Sequence, residues 1–413
     1  MSPSTPHSAR IGRSHRILIY GHDSFGLGHL RRNLTLAEAL VHSMPGASVL
    51  LVTGSPCATM FPLPERVEIV KLPSVTKNEA GGYTPRSLPG PLADVLHLRR
   101  RILFESYRVF QPDVVLVDHK VVGLHGEALD VLEDARRRGV RTILGIRDII
   151  DTPSAVEVEW GTPECRWGLS EGYDRVCVYG DPAVFDSRRE YPIPEELGER
   201  LEFVGYVVRE FKRRSLSPIP ATKPQVLVSM GGGEDGAERI GLFLDALELS
   251  RESTGGEAAF AATIVSGPLL DAATHRTLKR RARVLGDVDF HRVHNDLPRL
   301  LVESNAVVSM AGYNTCAEIL KSRRPAVLLP RVFPRKEQWL RADRFERAGI
   351  AENAAAYGPE ELVDAIERAL DPARPLGAAP DLRGAQNMVA VVAELLEHGR
   401  VVPFALRKQD AAL

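Results

Sequence analysis

The sequence predicts an α/β protein made of two doubly wound domains of similar size that face each other across a cleft. Three observations predict it. Short apolar runs of strand length alternate with segments of helical spacing, the pattern of a parallel sheet covered on both faces. An opening unit of strand, glycine loop and helix recurs once, midway along the chain. Just before the recurrence lies a basic, proline-containing stretch that reads as a linker.

Each element follows in order. Residues 1–14 read as a flexible tail. Residues 16–20 (RILIY) form a buried parallel strand, and the loop GHDSFGLG follows. Residues 29–42 show helical spacing through Leu30, Leu34, Ala37, Leu40 and Val41. Strands are expected at 47–53 and 67–72, then a Gly/Pro-rich loop reaching Pro91. Helices at 92–110 and 126–138 alternate with strands at 114–118, 141–146 and 175–179, and one more apolar run stands at 203–208. The first domain is therefore 15–208 and the linker 209–224. The second domain, 225–382, opens with the strand QVLVSM, the loop GGGEDG and a helix at 237–249. Strands at 261–265, 288–290, 306–309 and 326–329 and helices at 272–284 and 359–370 complete it. The segment 383–413 carries a final helix, 383–398, that could cross back to the first domain.

Composition excludes whole classes. The 413 residues are 44% hydrophobic and 26% charged, which rules out a disordered or fibrous chain. Fifty-three Lys and Arg against 54 Asp and Glu leave a net charge of −1, without the broad positive field of a general nucleic-acid binder. Cysteines 57, 165, 177 and 316 form no CxxC pair, so neither a zinc site nor a redox dithiol is suggested, and a reducing compartment fits. The first 15 residues lack the apolar core of a signal peptide, and the longest apolar run is far short of a membrane span. The expectation is a cytoplasmic soluble protein; the sequence leaves its oligomeric state open.

Four segments carry chemistry. The first is GLGHLRR, after the first strand. Gly26 and Gly28 permit close backbone approach, and His29 stands in the first turn of the helix, where ligands of open α/β sheets bind. A histidine there can take a proton near neutral pH; a tight turn with a capping histidine is the competing reading. The second is GGGEDG at 231–236. It satisfies G-x-G-x-x-G, but the next strand ends in Ser266-Gly267-Pro268 with no carboxylate for a ribose. The loop therefore reads as a diphosphate cradle rather than a dinucleotide site, against a plain glycine turn. The third is SMAGYNTCAEIL at 309–320. Asn314, Thr315 and the amides of the helix start could bind phosphate oxygens, and Glu318 could accept hydrogen bonds from ribose hydroxyls. The alternative is a simple cap, with Asn314 or Thr315 as the cap and Glu318 near the capping-box position. The fourth is PRVFPRKEQWLRADRFERAG at 330–349, where Lys336, Glu337 and Gln338 at a helix start could close over sugar hydroxyls.

Lesser signals are weighed beside these. Asp287-Val288-Asp289 is a DxD triplet that precedes a strand and reads as a turn rather than a metal site. Residues 98–108 interleave Arg99, Arg100, Arg101 and Arg108 with apolar residues; they read as a snorkelling helix face, although such a face could touch an anionic membrane surface. Asp118-His119 and Arg147-Asp148 end first-domain strands and face the cleft on position alone.

Taken in order, the four segments resemble a GT-B glycosyltransferase, and the second half resembles glycosyltransferase family 28, typified by the peptidoglycan N-acetylglucosaminyltransferase. The resemblance rests on the glycine loop at Gly231, Gly232 and Gly233, the G-x-x-T-x-x-E turn and helix at Gly312, Thr315 and Glu318, the loop at Glu337 and Gln338, and the interdomain arginine position at Arg209. The opening GHDSFGLGHLRRNLTLAEAL is similar to a group of bacterial predicted glycosyltransferases. The resemblance implies a nucleotide-sugar donor, UDP-linked, and a small-molecule or glycan acceptor, with no metal or other cofactor. It implies that Glu318 holds the donor ribose, that Gly231–Gly233, Asn314 and Thr315 hold the diphosphate, that the backbone near Val293 and His294 reads the base, and that Gln338 touches the sugar. Arg209 would steady the leaving group. His29 would be the base, with Asp118 or His119 next, and Gly26, Gly28 and Arg32 would lie on the acceptor side. The sequence departs from the family in its less glycine-rich first loop and in carrying Glu337 where the family has one of two paired amides. The GxGHxxR run also resembles nucleotide-sugar hydrolases of the pseudaminic acid pathway; a non-catalytic nucleotide-sugar-binding protein is the further alternative.

Overall fold

A computed structural model describes residues 14–22, 27–77, 82–211, 223–333 and 335–397. The strand runs fold into two open sheets. The first holds β1 (Arg16–Gly21), β2 (Ser48–Thr53), β3 (Val67–Lys71), β6 (Val114–Asp118), β7 (Arg141–Arg147), β8 (Arg175–Tyr179) and β9 (Leu201–Phe203), all parallel, in the order β3-β2-β1-β6-β7-β8-β9. A small antiparallel hairpin, β4 (Val75–Lys77) with β5 (Tyr83–Pro85), lies where only a loop was expected. The second sheet takes β10 (Gln225–Ser229), β11 (Ala261–Val265), β12 (Val288–His291), β13 (Ala306–Ser309), β14 (Ala326–Leu328) and β15 (Glu352–Asn353) in the order β12-β11-β10-β13-β14-β15.

Both sheets reverse direction of strand addition at their first strand, and that switch point opens a crevice beyond the strands' carboxyl ends. In the first sheet β1 lies between β2 and β6; in the second β10 lies between β11 and β13. The glycine loop after β1 and the one after β10 therefore emerge at the two switch points. Central strands are buried on both faces, as their unbroken apolar sequences require: Ile17, Leu18, Ile19, Val226, Leu227 and Val228 are all buried.

The lobes are joined by more than a linker. One apolar cluster runs from Leu30, Leu36 and Leu40 through Val204, Tyr206 and Val207 to Tyr313, Phe345 and Met388. The helix Gly384–Glu397 belongs to the same cluster and lies against the first lobe, where Arg141 donates to the Leu395 carbonyl and Arg175 pairs with Glu394. The chain thus passes between lobes twice, near 204–211 and near 377–384, and the passages are bonded to each other. The Tyr206 N–H donates to the Asp381 carbonyl at 2.7 Å and the Gly384 N–H to the Tyr206 carbonyl at 3.1 Å. Gly205 has φ +88, and a Cβ there would come within 2.9 Å of the Asp381 carbonyl oxygen, so this junction needs glycine.

No helix among the described residues is long and apolar enough to cross a membrane. The basic face at 98–108 is largely neutralised. Arg99 is fully buried against Glu127 rather than snorkelling, and Arg100, Arg101 and Arg108 pair with Asp130, Glu105 and Asp134. Asp287 and Asp289 pair with Lys223 and His291 around the turn into β12.

Candidate active site

A cavity of about 200 Å³ lies between the two lobes. From the second lobe it is lined by Gly231, Gly232, Gly233, Gly312, Asn314, Thr315 and Gln338; from the first by Gly28, His29, Arg31, Arg32 and Arg147. Gly26 lies outside the described residues.

The second-lobe wall is built of backbone. Gly231 and Gly233 have φ of +61 and +92, and a Cβ on Gly233 would stand 2.4 Å from the Ser266 carbonyl oxygen. Only glycine lets the loop turn this tightly over the end of β11. Gly236 caps the helix Ala237–Ser253, and Gly312 caps the helix Tyr313–Ser322, neither with a side-chain hydrogen bond. The competing cap reading therefore fails: Gly312, not Asn314 or Thr315, is the N-cap, and Glu318 stands too far along to close a capping box. Across the cavity, the helix Gly28–Ser43 also starts without a side-chain cap and without an acid in its first turn. Two helix starts, at Gly28 and Gly312, thus border one space together with the glycine loop, an arrangement that favours an anion.

The first-lobe wall holds a dyad. His29 Nδ1 stands 2.7 Å from Asp118 Oδ2. Asp118 ends β6, is fully buried, and also accepts from Arg32 Nη2 at 2.7 and 2.8 Å. Burial raises the carboxyl's pKa, but Arg32 and His29 outweigh it and hold it below the ordinary value. Arg32 Nη2 also stands 2.9 Å from His29 Nδ1, but the ionised carboxylate can only accept, so its 2.7 Å contact requires the proton on Nδ1, the tautomer that leaves the lone pair on Nε2. Asp118, buried and bonded to Arg32 and His29, does not border the cavity, and neither does His119. His119 is buried, has φ +74, and packs its ring 5.0 Å from that of His29. Burial, then the charges of Arg147 and His29, push its pKa well below 6.5. Arg32, expected toward the acceptor, borders the cavity, but its guanidinium is held by Asp118 and stacks 5.2 Å from the Tyr179 and Tyr313 rings.

Glu318 lies one turn below the Thr315 end of its helix, and it is not bare. Arg31 from the opposite lobe donates to its Oε1 at 2.7 Å, and Arg209 Nε approaches the same oxygen at 2.8 Å. Its Oε2 is buried without a hydrogen-bond partner among the described residues. Asn314 Nδ2 donates to the Gly28 carbonyl at 2.9 Å, a second direct tie between the lobes. Gln338 Oε1 accepts from the Arg331 N–H, while Glu337 pairs with Arg331. Val293 and His294 follow the edge strand β12 and do not line the cavity; Val293 is half exposed.

Several wall residues carried no signal of their own in the sequence. Arg31 was hidden beside Arg32 in GLGHLRR. Glu234 and Asp235 were read only as part of the glycine loop. Glu234 is largely buried, which with Asp235 outweighs Arg86 and raises its carboxyl to about 7.

Comparison with known proteins places this geometry. Residues 231–394 match the model of the glycosyltransferase family 28 C-terminal domain. The second lobe is thus similar to the family 28 C-terminal domain. A UDP-N-acetylglucosamine–N-acetylmuramyl-(pentapeptide) pyrophosphoryl-undecaprenol N-acetylglucosamine transferase of Geobacillus thermodenitrificans is 44% identical over 69 residues, 16% of this chain and 19% of that protein. A second such transferase, of Bacillus cereus, is 41% identical over 64 residues, 15% of this chain and 18% of its own length. The chain thus matches about a fifth of the length of these curated relatives. Among solved structures, the glycotransferase of kitacinnamycin superposes with TM-score 0.60 at 18% identity, over 96% of this chain and 98% of that one. Acinetobacter baumannii MurG superposes with TM-score 0.56 at 14% identity, over 92% and 100%. The two lobes together have the GT-B fold, and the stretch that matches the family 28 model contains the glycine loop and the helix start at Gly312.

Proposed function

We propose that the protein is a glycosyltransferase that moves a sugar from a nucleotide-diphosphate sugar, UDP-linked, to a hydroxyl acceptor, with inversion and without a metal. One observation carries the reading. The backbone wall of Gly231–Gly233 and Gly312–Thr315 faces the His29–Asp118 dyad across a single cavity.

The anionic diphosphate sits on the amides of the second-lobe wall, whose helix start favours negative charge as it builds on the leaving group. Arg31 and Arg209, both already at Glu318, add cationic charge beside it. The buried Oε2 of Glu318 is an acceptor that ribose hydroxyls would satisfy. His29 Nε2 takes the proton of the acceptor hydroxyl as oxygen attacks the anomeric carbon from the face opposite the diphosphate. Asp118 stabilises the imidazolium that forms. Gln338 reaches the sugar. The four cysteines, all free thiols, fit a cytoplasmic setting.

The experiment is a panel of nucleotide sugars read by thermal shift, followed by release of free nucleotide with and without hydroxyl acceptors. A true donor raises the melting temperature by mass action. Acceptor-dependent release supports transfer. Release at full rate in water alone makes the protein a hydrolase, and binding with no release under any acceptor makes it a sensor.

A further inference from the structure

Most of the cleft arginines have a carboxylate within ion-pair distance. Arg31 and Arg209 meet Glu318, Arg32 meets Asp118, Arg331 meets Asp235 and Glu337, and Arg341 meets Asp148. Arg147, the last residue of β7, lines the cavity but forms no ion pair among the described residues. Its polar contact is a neutral one, one Nη standing 3.4 Å from His119 Nε2, and its Nε, a buried atom, has no hydrogen-bond partner among the described residues. Burial lowers its pKa to about 10; Arg32, Arg341 and Arg335 push the same way against Glu337, yet the group stays cationic at neutral pH. Glu337 is the opposite charge it feels, but that carboxylate is already paired with Arg331, so among the described residues the half-buried guanidinium has no counter-ion in contact, and arginine does not relieve this by shedding its proton.

Its position says what the charge is for. β6 and β7 pair with Asp118 opposite Gly145, so Arg147 leaves the sheet at the same end as the dyad. It touches His119, whose ring packs on His29. It stands in the lobe of the base, across the cavity from the diphosphate wall. Resting on the transferase reading above, we propose that Arg147 anchors a second anion site, which takes a carboxylate or phosphate group carried by the acceptor. The guanidinium fork matches either group with two parallel hydrogen bonds, and holding the acceptor by its charge fixes a hydroxyl beside His29.

The test uses the full chain and thermal shift. UDP is first added to saturation, which fills the second-lobe wall, and inorganic phosphate is then titrated. Wild type gains a further rise in melting temperature, Arg147→Met loses it, and Arg147→Lys keeps part. Phosphate affinity should fall about 10- to 100-fold in Arg147→Met, the loss expected for charge-assisted hydrogen bonds. Without ligand, Arg147→Met should melt at or above the wild-type temperature, which separates a lost site from a lost fold. UDP, UDP-glucose and UDP-glucuronic acid form the second arm. If Arg147→Met weakens UDP itself, the guanidinium serves the donor diphosphate; if it weakens UDP-glucuronic acid alone, it serves the transferred sugar. Either result overturns the assignment to the acceptor, and so does the absence of any phosphate response in UDP-saturated wild type. If UDP fails to stabilise wild type, it is the transferase reading that fails. Phosphate alone then reads the Arg147 site, and a wild-type response missing in Arg147→Met still upholds an anion site there.

Discussion

Replacing Asp118 by Asn separates the structural and chemical roles of the dyad. In the native chain both Asp118 and Arg32 are buried, with side-chain exposures of 0% and 1%. An exposed pair would contribute at most about 1 kcal/mol. Here the amide would leave a buried guanidinium uncompensated, and breaking such a pair costs about 3–5 kcal/mol. The same change replaces the carboxylate that fixes the Nδ1 proton of His29 and stabilises its imidazolium by a neutral amide, which can also turn its NH₂ to Nδ1, so turnover should fall about 10²- to 10⁴-fold. His29→Ala should lose comparable turnover with little loss of stability, since the Arg32–Asp118 pair survives it. The double change Arg32→Met, Asp118→Leu should recover most of the stability and none of the turnover. Because the folded pKa of Asp118 is depressed, its contribution is fully present above the unfolded value of about 3.9 and fades as pH falls through the folded value. The stability gap between wild type and Asp118→Asn should therefore be flat from neutral pH to about pH 5 and close only in stronger acid. Urea unfolding across pH and nucleotide release provide both readings. An Asp118→Asn protein as stable as wild type, or one with turnover within about twofold of it, would refute the reasoning.

Three further outcomes are expected. Gly233→Ala places a Cβ against the Ser266 carbonyl oxygen at φ +92 and should cost about 1–3 kcal/mol in chemical denaturation while weakening nucleotide binding measured by calorimetry. Glu234, with its carboxyl raised to about 7, binds its proton more tightly in the fold than in the unfolded chain. Its contribution is thus present below the unfolded value and lost as pH rises through about 7; Glu234→Gln should flatten the fall in UDP affinity across that range, seen by titration from pH 6 to 8. Asp148 accepts from Arg341 Nη2 at 2.9 Å and from the Tyr206 hydroxyl at 2.7 Å, all three buried, so Asp148→Asn should lower unfolding free energy by about 3–5 kcal/mol although it touches no substrate.

The fold was legible where burial writes itself into composition. Central strands such as Val114–Asp118 and Gln225–Ser229 are apolar runs ended by polar or glycine residues, and the helix Leu92–Phe110 falls where its spacing puts it. Elements without that signature escaped. The hairpin β4–β5 is hidden among glycines and prolines, the helices Pro153–Trp160 and Pro163–Trp167 begin at Thr-Pro and show little apolar periodicity, and β15 is only Glu352 and Asn353. The glycine loops and the Gly312–Thr315 turn could be found because their chemistry is local. The pairing of His29 with Asp118, 89 residues away, and of Arg31 with Glu318, 287 residues away, could not. Those contacts depend on how strands are ordered and how lobes are set against each other, and no local pattern encodes either. The same reason hid Arg147: its distinction is what it lacks, and a missing counter-ion is visible only once its neighbours are placed.

The two passages of chain between the lobes meet at one knot of hydrogen bonds around Tyr206, Asp381 and Gly384. Two separated connections would define an axle and permit a single swing. Two connections fused at one point leave the relative pose of the lobes to the apolar cluster around Tyr206 and to the side chains that span the crevice, among them Arg341 with Asp148, Asn314 with the Gly28 carbonyl, and Arg31 with Glu318. The last two ties are made by residues of the cavity wall or just beneath it. A molecule entering that space competes for the very groups that steady the lobes, so occupancy and posture of this protein are settled by the same few bonds.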